Sequence, residues 1–339
     1  MLRKLFLIPC GVSLLLAGCN NGASTTGNNA GGATNTAGSG AGDAKKLTIA
    51  VIPKGTTHSY WKSVQAGANK AGEEFGVNIV FKGPVKESDR AGQIQIMQQF
   101  ISQGTSAIVL APLDDSALVK PVKTAFDKKI PVVIIDSAIK SKPGTDYASF
   151  VATNNYQGGV LAGERMVKLL GGKGKVAMMR YMEGSASTAD REGGFMSVMK
   201  KNPGITMTVD NRYGGATMGE AKSAALDMVD FLKASDGVFA PNESSAQGMM
   251  LALRQLRLNG KIKFVGFDAS APLLDGLRNN DIAALVVQNP TKMGYEGVKA
   301  AVAALKGEKV AATIDTGVAV VDKANLNSAA TKEVLNENS

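Results

Sequence analysis

Cysteine and histidine are almost absent from this 339-residue chain: Cys10, Cys19 and His58 are the whole complement. Both cysteines fall near the start, so the rest of the chain has no thiol with which to build a disulfide framework or a Cys–His pair. A single histidine excludes a His-rich metal centre and a triad backed by a second histidine. No metal and no cofactor is expected. Aromatic residues make up 5% of the chain, and Trp61 is its one tryptophan. The turns carry no Gly-x-Gly-x-x-Gly, Gly-x-x-x-x-Gly-Lys-Ser/Thr or Gly-x-Ser-x-Gly pattern, which removes the usual phosphate cradles and the nucleophile elbow. Gly171-Gly172-Lys173-Gly174 stands between a helix and a strand, where glycines end helices. The formal net charge is +9. Its cations (Lys70, Lys82, Lys86, Lys120, Lys128) are scattered, with no dense basic run between aromatics, so nucleic acid is not the expected partner.

What the chain does have begins at its first residues. Arg3 and Lys4 precede an apolar run over 5–16, too short for a membrane span of about 20 residues and suited to an export signal. The ending Leu16-Ala17-Gly18-Cys19 resembles a bacterial lipobox, which implies removal of 1–18 and acylation of Cys19. Residues 19–44 are mostly Gly, Asn, Ala, Ser and Thr without apolar periodicity, the composition of a disordered tether. The expectation is a membrane-anchored lipoprotein of the periplasm or cell surface, with a soluble, monomeric body.

From Leu47 onward, short β-branched runs (47–52, 77–81, 107–110, 131–135, 149–152) alternate with helical stripes such as Trp61, Val64, Ala68, Ala71 and Phe75. That alternation implies a parallel sheet covered on both faces. It then starts again, with runs over 175–179, 205–209, 237–239, 264–266 and 282–287. The fold class is therefore α/β, two similar Rossmann-like lobes joined by a hinge that the chain crosses more than once. The lobes are placed at 45–152 with 289–316, and at 153–288 with 317–330. Pro121 requires the third helix to start late or kink.

In open α/β sheets ligands settle beyond the carboxyl ends of the strands. Polar and aromatic residues gather at those ends: Lys54, His58, Tyr60 and Trp61 after the first strand, Asp136 after the fourth and Asn155 after the fifth. In the second half Arg191 opens a turn toward a helix, while Asn242, Asp268 and Gln288 follow strands. Carboxylates accept hydroxyls, arginine donates a planar fork, amides do both, and aromatic faces cover C–H surfaces. The set suits a neutral polyol better than an anion. Each residue has a plainer reading too: Asp136, Asp268 and Asn242 as helix caps, Trp61 as core, Arg191 paired with Asp190 or Glu192, and Gln288 before an Asn289-Pro290 turn.

At these positions the chain resembles the ribose/galactose-type periplasmic binding proteins, the substrate-capturing components of sugar ABC importers. The resemblance rests on Val265-Gly266-Phe267-Asp268, Phe239-Ala240-Pro241-Asn242-Glu243, Ile134-Ile135-Asp136, Gly158-Gly159 with Gly163, and Arg191-Glu192-Gly193-Gly194-Phe195. It implies a type I periplasmic binding protein fold, hinge closure on a monosaccharide, no catalysis, and partnership with a permease and its ATPase subunits. It assigns sugar contacts to Asp136, Arg191, Asn242, Asp268 and Gln288, with Tyr60 and Trp61 as stacking aromatics. The pattern departs at Asp136-Ser137, at His58-Ser59 and near Tyr213-Gly214, where a second-lobe aromatic is expected. A lactose-type repressor would need a helix-turn-helix in place of the export signal. A lipoprotein for nucleosides or a furanosyl signal, or an exported sugar-modifying enzyme using Asp136 and Asp268, remain as alternatives.

Overall fold

A computed structural model describes residues 46–335; the export signal, Cys19 and the whole of the expected tether lie outside the described residues. The first sheet is built from β1 (Thr48–Ile52), α1 (Ser59–Glu74), β2 (Asn78–Phe81), α2 (Arg90–Gln103), β3 (Ala107–Leu110), α3 (Val119–Asp127), β4 (Val132–Ile135) and β5 (Ser149–Ala152). The second follows with α4 (Asn155–Leu170), β6 (Gly174–Arg180), α5 (Ala186–Lys201), β7 (Ile205–Tyr213), α6 (Met218–Asp227), α7 (Val229–Lys233), β8 (Gly237–Phe239), α8 (Glu243–Gln255), β9 (Lys263–Phe267), α9 (Ala271–Arg278) and β10 (Ala284–Gln288). The chain then returns through α10 (Pro290–Leu305) and β11 (Thr313–Asp315), and ends with β12 (Val318–Val321) and α11 (Ala329–Leu335).

The two sheets have the same strand order, β11-β5-β4-β3-β1-β2 and β12-β10-β9-β8-β6-β7. Each reverses direction of growth once, between β1 and β3 and between β6 and β8, and such switch points open the crevice in which ligands bind. Apolar residues fill both faces because helices cover both. Ile49, Val51, Val109 and Val133 enter one core of the first lobe, while Ala50, Ile52, Ile108 and Ile134 enter the other. Val238 and Phe239 divide the same way in the second lobe. The period-2 alternation thus serves two buried layers at once.

The chain passes between the sheets three times, as β5 leads to α4, β10 to α10 and β11 to β12. Helix α10 returns to pack on α1 and the first sheet. Tight helix pairs hold these elements: a methyl group on Gly67 would strike the Thr291 carbonyl, and one on Gly159 would strike the backbone of Arg191. The latter contact locks α4 against α5 directly behind the Arg191 side chain.

Two local expectations are corrected, and the choice left open at Pro121 is settled. The sheets are not wholly parallel, because β12 pairs antiparallel with β10; it follows β11 without a crossover helix and so enters the edge reversed. Arg191 lies within α5 rather than at a turn before it. Pro121 does not kink α3, which starts late at Val119, so the proline falls in the first turn, where its missing N–H costs nothing.

Candidate functional site

Two aspartates occupy matching places in the two sheets. Asp136 follows β4 and Asp268 follows β9, and both adopt left-handed backbone conformations, φ 65° and 71°. Only glycine, asparagine and aspartate take that region readily, and strain of this sort collects at functional sites. Asp136 Oδ2 pairs with Lys54 Nζ at 2.7 Å, and its Oδ1 accepts from the Tyr60 hydroxyl at 3.0 Å. Asp268 Oδ1 accepts from Gln288 Nε2 at 2.7 Å, and its Oδ2 from the Glu243 N–H at 2.9 Å. Neither aspartate caps the helix that follows it. Asn242 does, its Oδ1 accepting from the Ser245 N–H.

Arg191 is buried between these groups. Its guanidinium carbon lies 3.9 Å from the centre of the Phe267 ring; Nε donates to Asn155 Oδ1 at 2.9 Å and Nη1 to the Pro241 carbonyl at 3.0 Å. Arg191 Nη2 and Gln288 Oε1 are buried with no hydrogen-bond partner. Buried polar atoms left so are costly and rare.

One gap is bordered by Lys54, His58, Tyr60, Trp61, Asp136, Arg191, Asn242, Asp268 and Gln288, drawn from both lobes. Asn155 does not border it; the side chain stands behind, donating to the Asp136 carbonyl at 3.0 Å while it accepts from Arg191. Sequence reasoning missed Glu87, Tyr181, Ser187, Thr188 and Glu243, which also border the gap. Tyr181 was within reach of the strand-end rule, since it follows β6. Glu87 was not, because its loop of Lys86-Glu87-Ser88-Asp89 reads as solvated. The second-lobe aromatic sits at Tyr181 and not near Tyr213, which is 39% exposed at the end of an edge strand with Arg180 over its ring.

The polar groups of the two lobes bind one another across the gap. Lys54 Nζ donates to Ser187 Oγ at 2.9 Å, Tyr181 Oη to Glu87 Oε2 at 2.7 Å, and the Ser187 N–H to Ser137 Oγ at 3.0 Å. What is left holds about 30 Å³, room for a water molecule or two and not for a sugar ring. A sugar ring is therefore held there only by taking the place of some of these cross-gap bonds.

A family model for the periplasmic binding protein domain matches residues 49–309. The chain belongs to the ribose/galactose-type periplasmic binding proteins. A ribose import binding protein of Salmonella typhimurium is 28% identical over 285 residues, 82% of this chain and 91% of that protein. A carbohydrate transporter solute-binding protein from Agrobacterium radiobacter, solved with D-arabinose, is 35% identical, with a TM-score of 0.82 over 86% of this chain and 99% of that one. An ABC transporter solute-binding protein from Agrobacterium vitis with bound D-fucose is 37% identical, with a TM-score of 0.81 over 84% and 98%.

Electrostatics in this binding protein follow from burial and pairing. Burial pushes the Asp268 carboxyl up to about 6, against the pull of Arg191 and Gln288. The phenols of Tyr60 and Tyr181 are held well above 10 by burial and by neighbouring carboxylates, so both remain donors. His58 Nδ1 lies 2.6 Å from Glu87 Oε1, which also accepts from Trp61 Nε1 at 2.6 Å. Burial opposes charge on each partner, yet their attraction outweighs it, raising His58 to about 9 and lowering Glu87 to about 2.

That pair sets a pH window. The raised His58 pKa contributes stability that is whole below about 6.5 and gone above about 9, and the lowered Glu87 pKa contributes stability that is whole above about 4.5 and lost toward 2. Glu87→Gln is therefore expected to lower the melting temperature most between pH 4.5 and 6.5, by the equivalent of about 3 kcal/mol. Melting curves of both proteins from pH 4 to 10 test this, and a deficit that grows from pH 7 to 10 would contradict it.

Proposed function

We propose that this protein captures one neutral monosaccharide between its lobes, bound by Asp136, Arg191, Asn242, Asp268 and Gln288, with Tyr60 and Trp61 against the ring and Lys54 and His58 at its edge. Asn155 acts behind them by orienting Arg191. The role is that of the extracytoplasmic substrate-binding component of an ABC-type sugar importer. The halves of the clamp are 45–152 with 289–316 and 153–288 with 317–330. The body acts as a monomer, is held to a membrane by acylated Cys19, and passes its ligand to the permease unchanged.

The observation that carries this reading is the pair of unpartnered atoms Arg191 Nη2 and Gln288 Oε1, one a donor and one an acceptor. They stand beside carboxylates contributed by both lobes. A hydroxyl donates and accepts, so a polyol supplies both complements at once. The relatives solved with D-arabinose and D-fucose add support.

Screening the purified chain by thermal shift against pentoses, hexoses, 6-deoxyhexoses and nucleosides tests the proposal. At a thousandfold excess over Kd a bound sugar stabilises by about 4 kcal/mol, a rise of roughly 10 °C for a body of this size. A response to nucleosides alone, or conversion of the sugar to a product, would overturn it.

A further inference from the structure

Helix α1 lacks a cap of its own. His58 stands at its N-cap position and makes no side-chain cap bond, since its ring is paired with Glu87. The first N–H groups of the helix, those of Ser59 and Tyr60, donate instead to Oε1 and Oε2 of Glu243 at 3.0 and 2.9 Å. Helix α1 packs on the first sheet, whereas Glu243 is the first residue of α8 on the second. The carboxylate is 5% exposed. Gln247 Nε2, one turn further along α8, also donates to Oε1, at 3.3 Å.

A carboxylate at a helix N-terminus gains both charge-assisted hydrogen bonds and the favourable field of the helix. Here the carboxylate and the helix sit on opposite sides of the cleft, so both gains exist only while the lobes are shut. Parting the lobes leaves two uncapped N–H groups on one side and a lone carboxylate on the other. The same residue touches two groups assigned to the sugar: its acceptors hold the Tyr60 backbone, and its own N–H donates to Asp268 Oδ2.

We propose that Glu243 is a positioning residue that latches the lobes, setting how much of the protein is closed and thereby the affinity for every sugar alike. Both of its oxygens are occupied by the opposite helix. The affinity a ligand shows is its intrinsic affinity reduced by the fraction of protein in the competent form. Loss of the latch therefore raises Kd by one common factor and leaves the order of preference among sugars as it was. The affinity step rests on the proposed function; the latch itself does not.

Glu243→Gln and Glu243→Ala in the full chain test this by two readouts. Small-angle scattering without sugar is expected to give both variants a larger radius of gyration than the parent, with melting temperatures showing that each is folded. Calorimetry with D-ribose, D-arabinose, D-allose and D-fucose is expected to show Kd about tenfold higher for each sugar the parent binds, in unchanged order. Saturating sugar returns the variants to the parent's radius. An unchanged radius without sugar overturns the latch, and a reordered preference shows that Glu243 touches the ligand. Should the parent bind no sugar of the wider thermal-shift panel, the functional reading fails while scattering still decides the latch.

Discussion

Asp268→Asn is expected to remove sugar binding and, in the same protein, to raise the melting temperature of the unliganded form. Asp268 is buried, and its pKa stands at about 6 against an ordinary 3.8. The native state thus holds a proton more tightly than the unfolded chain, and stability falls as pH rises from about 4 to about 6. Above pH 6 the penalty is complete, up to about 3 kcal/mol. Asparagine has no charge to desolvate and tolerates the left-handed backbone that Asp268 adopts. Its amide also finds partners. The Glu243 N–H can still donate to its oxygen, and Gln288, whose Oε1 now lacks a partner, can turn its amide over to accept from the new NH₂ group. Binding suffers because a carboxylate accepting hydroxyls contributes about 1.5–3 kcal/mol per hydrogen bond, so two lost bonds raise Kd by a hundredfold or more. Calorimetric melting at pH 4 and pH 7, with titration by sugar, reads both effects. The gain in melting temperature should vanish at pH 4; a variant that binds sugar as the parent does, or melts lower at pH 7, would refute the assignment.

The scaffold was legible because its strands are buried on both faces. Runs such as Ile49-Ala50-Val51-Ile52 contribute alternate residues to two cores, and no amphipathic strand or long helix produces that pattern. The strand-end rule then found the gap, since Asp136, Asn242 and Asp268 follow strands, Gln288 ends one, and all four border it. Other features depend on distance along the chain or on conformation. Glu87 looks solvated in its own loop and is buried because His58, Trp61 and Tyr181 close on it from residues distant in sequence. The resemblance marks the second-lobe aromatic as replaced near Tyr213-Gly214; the shifted register of β7 against β6 leaves Tyr213 at an exposed edge, and Tyr181 borders the gap instead. The left-handed φ of both aspartates leaves no trace in composition or spacing. Asp136 and Asp268 weighed as helix caps were a fair alternative on sequence, and the conformation that takes them out of the cap role is the same one that turns their carboxylates to the gap.

Arg191 is where binding and folding draw on the same side chain, so two substitutions are needed to separate them. Arg191→Met keeps bulk over the Phe267 ring but leaves Asn155 Oδ1 and the Pro241 carbonyl without their donors. Each orphaned acceptor costs about 1–3 kcal/mol, and Asp268 loses the neighbouring charge that restrains its pKa. Unfolding by urea is expected to show a loss of about 3 kcal/mol, together with a hundredfold or greater loss of sugar affinity. Arg191→Lys restores the charge without the fork, so that one ammonium cannot reach Asn155, Pro241 and a sugar hydroxyl together. The lysine variant should therefore recover part of the stability and little of the affinity. Equal recovery of the two, or affinity within threefold of the parent, would make Arg191 a structural buttress and move the recognition of hydroxyls to the carboxylates alone. With the expected split, the guanidinium is shown to do both tasks: two of its nitrogens tie α5 to Asn155 and to the Pro241 carbonyl, and the third, Nη2, stays free for the ligand.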